Sequence, residues 1–190
     1  MVFCRCKNLR RVAFSEGLEN IGISAFAQTG VEKIILPSST KTVCMAAFAE
    51  CQRLRSVRLN EGLEILGAGK YNGNDQDKWK TFAQDTLEDL TIPPALEEIA
   101  PDAFQYCKGV RRVEFLEGRE TLGMGEEGSD VWNALFRDCG VEEVVLPSTL
   151  RELHPDIFRD CKRLRTVRVA RGCAVKVRKF VGFLVRVRQK

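Results

Sequence analysis

Residues 47–59, AFAECQRLRSVRL, carry two patterns at once. Phe48 and Cys51 stand three apart, and an apolar triad follows at i, i+3 and i+5: Leu54, Val57 and Leu59. The last two members of the triad alternate as in a strand, and the first turns in from the preceding corner. Moving outward from Phe48, the same phenylalanine recurs at Phe3, Phe26, Phe82, Phe104, Phe136 and Phe158, with gaps along the chain of 23, 22, 34, 22, 32 and 22 residues. A fixed period of this length is the mark of a repeat architecture. The two long gaps are explained by an inserted loop in each.

The triad follows every ladder phenylalanine in the same register, from Leu9/Val12/Phe14 through Val31/Ile34/Leu36 to Leu164/Val167/Val169. Seven short parallel strands are therefore expected. Turn signals follow the first six, namely Glu16-Gly17, Pro37-Ser38, Glu61-Gly62, Pro93-Pro94, Glu117-Gly118 and Pro147-Ser148. The apolar residues Ile21, Val43, Leu66, Ile99, Leu122 and Leu153 then return the chain to the next phenylalanine. Pro101-Asp102-Ala103-Phe104 and Pro155-Asp156-Ile157-Phe158 read as single helical turns opened by proline. The chain starts in mid-coil at the Phe3-x-x-Cys6 corner, so its first coil is expected to be uncovered or to lack an upstream segment.

The pattern A-F-x-x-C-x-x-L-x-x-V-x-L, with L-P-S and I-x-x-x-A-F between copies, resembles the BspA-type leucine-rich repeat from residue 3 to about 172. The resemblance implies an α/β repeat solenoid, with a parallel β-sheet on its concave face and short helical turns or irregular segments opposite. It also implies a non-catalytic binding scaffold, often at cell surfaces and associated with adhesion. Two inserted loops, an abrupt start and a basic tail depart from the family pattern. The expected domains are a repeat unit of seven coils over 1–172, with loops at about 67–81 and 123–135, and a basic cap or tail over 173–190.

Neighbouring coils must stack to bury their apolar edges. Cys6, Cys51, Cys107, Cys139 and Cys161 each lie three residues after a ladder phenylalanine, with Thr29 and Asp85 in the other two coils. They read as small thiols buried at a tight corner. A disulfide between Cys139 and Cys161, in adjacent coils, would have acceptable geometry but is not expected in a reducing compartment. On the open face of the sheet, Arg10, Glu32, Arg55, Glu88, Arg111, Glu142 and Arg165 alternate in sign. This predicts a self-neutralising ladder of opposite charges across strands about 4.8 Å apart.

The 190 residues carry 30 Lys and Arg against 26 Asp and Glu. Six of the basic residues and no acidic ones fall within 173–190, so the remaining body is nearly neutral and gives no general reason to expect nucleic acid. The tail alternates Val175, Val177, Val185 and Val187 with basic residues, which reads as one or two edge strands closing the stack. Contact of the tail with an anionic membrane or acidic partner is the other reading. The longest uncharged apolar run near the end, Phe180 to Val185, is six residues, far short of the roughly 20 needed to cross a bilayer. No apolar h-region or small-residue cleavage site marks the N-terminus, which favours an intracellular location over the cell surface that the resemblance suggests.

Candidate chemistry is sparse. His154 occupies a corner position with no orienting partner for a Cys/His pair. Gly67-Ala68-Gly69-Lys70 lacks the leading glycine and the Ser or Thr of a phosphate loop. The segment 72–77 lacks the central glycine and distal glutamate of a calcium loop. No catalytic, cofactor or metal site is therefore expected. A protein partner is expected instead, at the two inserted loops. Both begin after a Leu-Gly step, Leu66-Gly67 and Leu122-Gly123, and each carries one of the two tryptophans, Trp79 and Trp132. Insertions in repeat proteins collect on one face, often the binding face, and tryptophan is enriched in interface hot spots. The expected contact residues are Tyr71, Asp75, Trp79, Glu126, Asp130 and Trp132. The alternative is a structural subunit packed permanently in a larger assembly.

Overall fold

The computed structural model describes residues 2–68, 81–82, 86–96, 98–100, 103–118, 120–122, 135–154, 156–169, 171, 173 and 186–189. Segments such as Ser56-Val57-Arg58 and Arg112-Val113-Glu114-Phe115 alternate exposed and buried side chains, and their β-branched residues suit a pleated backbone. Numbered in chain order, β2 Lys33–Ile35, β4 Ser56–Arg58, β6 Asp89–Ile92, β8 Arg112–Phe115, β10 Glu143–Leu146, β12 Thr166–Val169 and β13 Arg186–Gln189 form one parallel sheet. The Cα register carries Ile34 to Val57, Leu90, Val113, Val144, Val167 and Val187 in turn. This is the strand register that the triads predict.

The first expected strand is reduced to a single bridge, Arg11 to Lys33, and the seventh strand of the sheet is β13, from the basic tail. Coil 1 has a neighbour on one side only. Its triad residues Leu9, Val12 and Phe14 are accordingly only partly buried.

A second wall follows each turn. β1 Asn20–Ile21, β3 Thr42–Cys44, β5 Ile65–Ala68 and β7 Glu98–Ile99 pair in parallel, as do β9 Thr121–Leu122 and β11 Glu152–Leu153. The register of this wall joins Ile21, Val43, Leu66 and Ile99, and separately Leu122 and Leu153, the residues expected to return the chain.

The third wall is built of turns. No helix occurs among the described residues, so the described parts of 101–104 and 155–158 are turns and not the expected helical turns. The bonds here close isolated turns, Ala103 N–H to Ala100 O at 3.0 Å and Ile157 N–H to His154 O at 3.3 Å, and the backbone stops any helix just past the phenylalanine. The residue two after the ladder phenylalanine is left-handed at Arg5, Gln28, Glu50, Tyr106, Asp138 and Asp160, with φ between 55° and 68°. A residue in that conformation interrupts any right-handed helix. It also turns the main chain outward to the next coil: Phe26 N–H donates to Ala47 O and Gln28 N–H to Ala49 O, both at 2.8 Å, and Phe136 and Asp138 do the same to Ile157 and Arg159 at 3.0 Å.

These bonds hold the rings in one continuous stack. Phe3, Phe26, Phe48, Phe82, Phe104, Phe136 and Phe158 lie 5.2–5.5 Å apart between centroids and within 18° of parallel. Each such pair contributes about 0.5–1.5 kcal/mol beyond its buried area. Interior rings Phe48, Phe82, Phe104 and Phe136 are fully buried, whereas Phe3 is 42% exposed.

Candidate functional site

Tyr71, Asp75, Trp79, Glu126, Asp130 and Trp132 lie outside the described residues, but the strands that lead into their loops are described. One loop follows β5 and the other follows β9, the equivalent strands of coils 3 and 5. Gly67, at the first of these exits, has φ +93°, and a Cβ there would stand 2.3 Å from the Cβ of Ala100. Glycine is therefore required where the chain leaves the second wall.

The residues of the predicted charge ladder are aligned from strand to strand by backbone bonds, but among the described residues their charges pair along it only once. Main-chain hydrogen bonds run from Glu32 N–H to Arg10 O, Arg55 to Glu32, Arg111 to Glu88, Glu142 to Arg111 and Arg165 to Glu142, at 2.7–3.1 Å. Among the described residues, Arg10–Glu32 at 3.8 Å is the one ion pair within this column. Both side chains are more than half exposed, and pairing two long hydrated side chains gains little over leaving them in water. Direct charge contact is found one residue further along the strands. Arg112 meets Glu114 at 2.9 Å and Glu143 at 4.0 Å, and Arg168 lies 2.5 Å from Glu143, off the line of a hydrogen bond. Sequence reading missed this cluster because it spans two strand positions, that of Arg112 and Glu143 beside Thr166 and that of Glu114 and Arg168 beside Val145, each mixed in character down the stack.

The corner cysteines do more than fill space. The thiols of Cys51, Cys139 and Cys161 donate to the carbonyls of Phe26, Phe104 and Phe136 in the preceding coil at 3.0, 2.8 and 2.9 Å, and Cys107 donates likewise to Phe82. The Phe104 and Phe136 carbonyls also accept the backbone N–H of their own coil's cysteine, so both lone pairs are used. Thr29 holds this place in coil 2, but its hydroxyl donates within its own coil, to Phe26 O at 2.9 Å, and lies 3.3 Å from Cys51 Sγ. Burial raises the thiol of Cys51 above its ordinary value and that of Cys139 well above it, and pushes Cys161 up to about 12, so none is a ready nucleophile. All eight cysteines are free thiols.

Odd and even coils differ. From the phenylalanine to the first triad residue there are six steps in odd coils, as in Phe48 to Leu54, and five in even coils, as in Phe26 to Val31. The extra residue forms a tight turn in which the N–H of Lys7, Gln52, Lys108 or Lys162 bonds to the carbonyl two residues back, at 2.8–3.0 Å. In coils 2 and 6, Gly30 and Gly140 tuck beneath this turn. A Cβ on either would stand 2.3 Å from Lys7 O or 1.9 Å from Lys108 O. At the far corner Glu16 accepts from Ser38 N–H and Oγ–H and from Ser39 N–H, and Glu117 accepts from Ser148. Serine bonding draws the exposed Glu16 carboxyl below its usual range.

His154 accepts the Asp156 N–H at Nδ1, 3.1 Å away, which fixes it in a local turn. Among the described residues no group of His, Cys, Asp or Glu could hold a metal ion, and no helix is long and apolar enough to cross a membrane.

Parallel strands in register, a ring stack and corner thiols define a leucine-rich-repeat scaffold. The chain belongs to the BspA-type leucine-rich repeat family, whose model matches residues 1–76 and 78–174 in six copies. Among solved structures it is similar to a leucine-rich repeat protein from Bacteroides ovatus ATCC 8483, with 16% identity and a TM-score of 0.30 over 99% of this chain and 73% of that one. It is also similar to the pneumococcal vaccine antigen PcpA, with 14% identity and a TM-score of 0.38 over 84% of this chain and 56% of that one. No curated protein matches.

Proposed function

We propose that this chain acts by binding a protein partner on a curved repeat scaffold, without catalysis, and that the two inserted loops are its contact surface. One observation carries the reading: both insertions follow the same strand of the second wall, β5 and β9, two coils apart. On a stack with strands about 4.8 Å apart, their roots lie about 10 Å from each other on one wall. Trp79 and Trp132 then supply the anchors, with Tyr71, Asp75, Glu126 and Asp130 as the polar contacts around them. Family membership supports a scaffold role. The same reading divides the chain into a repeat unit, 1–172, and a basic cap, 173–190, whose strand β13 extends the principal sheet beside β12.

The test is a chain with both loops shortened to the 23-residue period. Cross-linking in native extract followed by mass spectrometry identifies the partner, and titration then compares the two chains. The shortened chain stays folded and loses binding. Unchanged affinity places the site elsewhere, and unfolding makes the loops structural. A structural subunit is the second reading, favoured by the parallel pairing of β13 at the sheet edge. It requires a large stable complex in native extract, where a recognition module runs free.

A further inference from the structure

Charge on this molecule is sorted by corner. At the leading corner, where the chain passes from the phenylalanine wall into the principal sheet, the odd coils present Lys7, Arg53, Lys108, Lys162 and Arg163, all exposed. Their strands open with Arg10, Arg55, Arg111 and Arg165, also exposed. Acidic groups at the mouth of the sheet are Glu32, Glu88 and Glu142 in the even coils, and on the phenylalanine wall Glu50, Asp138 and Asp160. The trailing corner is the reverse in coils 1, 3 and 5, with Glu16, Glu19, Glu61, Glu64, Glu117 and Glu120, two of which pair with Lys41 and Arg151 of the even coils, while coil 7 has Arg171 there. A body that is nearly neutral in total thus carries a basic edge and an acidic edge.

The basic edge is also corrugated. The longer odd corners stand out as ridges and the shorter even corners, floored by buried Thr29, Gly30, Cys139 and Gly140, are recessed between them. The recess at coil 2, about 360 Å³, is lined by Gln28, Thr29, Glu50 and Gln52 between Lys7 and Arg53. A second, about 380 Å³, is lined by Glu32, Gln52, Arg53, Arg55 and Thr86. Lys108 is paired with Asp138 at 2.6 Å, but among the described residues no ion pair engages Lys7, Arg53, Lys162 or Arg163.

Ridges two strands apart repeat every 9.6 Å or so. That is longer than the roughly 6.8 Å between same-face side chains of an extended peptide, and far longer than the roughly 3.4 Å between phosphates along a duplex strand. The two-sugar repeat of a linear polysaccharide fits it. We propose that the leading corner binds a linear polysaccharide in which a uronic acid alternates with an uncharged amino sugar, laid along the stack. The carboxylates meet the ridges, and the neutral rings sit over the recesses, where Gln28, Thr29, Glu50 and Gln52 hydrogen-bond their hydroxyls. This surface is separate from the inserted loops.

A hyaluronan octasaccharide, with four carboxylates at this period, is the probe. Calorimetric titration into the full chain at low ionic strength shows saturable binding that weakens as salt is raised, because exposed charge contacts are screened. Amide shifts fall at residues 7, 28–30 and 50–53. Lys7→Ser with Arg53→Ser, both exposed and with no ion pair among the described residues, weakens affinity about tenfold, while Lys41→Ser with Arg151→Ser at the trailing corner leaves it unchanged. Thermal unfolding verifies that both variants stay folded. The chain with shortened loops binds the sugar as before, whatever becomes of its protein partner. No binding, equal binding by the Lys7/Arg53 variant, or tighter binding of a single-stranded oligonucleotide through the same residues would overturn the proposal.

Discussion

The phenylalanine wall and the leading corner belong to the same coils and obey different periods. Rings stack at every coil with nearly constant separation, whereas corner length and charge repeat every second coil, with the recessed corner floored by Gly30 and Gly140 in coils 2 and 6 and by Thr86 in coil 4. The difference follows from what each region must satisfy. An interior ring meets a ring above and below, so every coil makes the same demand. A corner faces water on one side and needs only a neighbour that complements it, so projecting and recessed corners alternate.

The comparison is broken hardest in the wall. Phe104→Ala removes a fully buried ring from mid-stack and costs about 3–5 kcal/mol in chemical denaturation. Phe3→Ala, at the 42% exposed end, costs much less. Equal losses would mean that the wall is not a stack of interdependent coils.

Next comes the corner. Gly140→Ala places a methyl group against the Lys108 carbonyl and costs about 3 kcal/mol, whereas Gly22→Ala, with nothing within 4 Å, is near neutral in the same assay. A harmless Gly140→Ala would remove the recessed corner from the account.

Cys161 sharpens the comparison at the point where wall and corner meet. Cys161→Ala loses the donor to Phe136 O and costs about 1–2 kcal/mol. The thiol is raised by burial from 9.0 to about 12, so above pH 9 the unfolded chain releases a proton that the fold retains. Its stabilisation is complete below about pH 9 and lost as pH rises through 12. Denaturation midpoints from pH 8 to 11 fall less steeply in Cys161→Ala.

The smallest effect lies at the trailing corner. The Glu16 carboxyl is lowered from 4.5 chiefly by the Ser38 hydroxyl, so its contribution is present above that value and lost as pH falls through the folded one. Ser38→Ala returns the carboxyl toward 4.5 in an NMR titration, with little change in melting temperature.

Much of this was legible in the sequence because the core repeats at fixed spacing. The triads set the strand register, and Ile21, Val43, Leu66, Ile99, Leu122 and Leu153 marked the second wall. The turns of the third wall were not legible. Eight left-handed positions among the described residues of this wall, six of them two residues after a ladder phenylalanine, are held by Arg, Ser, Gln, Ala, Glu, Tyr and Asp, without the glycine that advertises such a backbone, and at Arg5, Ser24, Gln28, Tyr106 and Asp138 the N–H bonds to the next coil. The charge column was legible as a pattern and misjudged as chemistry, since register places side chains in line without making hydrated ions pair. The candidate contact residues were chosen for insertion and tryptophan alone, and no repeat constrains the conformation of an insertion.

The alternation of corners restricts how a molecule of this design can change size. Removing one coil would bring ridge against ridge or recess against recess, with two tight turns competing for one space or two short corners facing a void. Removing a pair leaves every remaining junction as it was. Length in this architecture is therefore quantised, and the smallest viable edit is a unit of two coils.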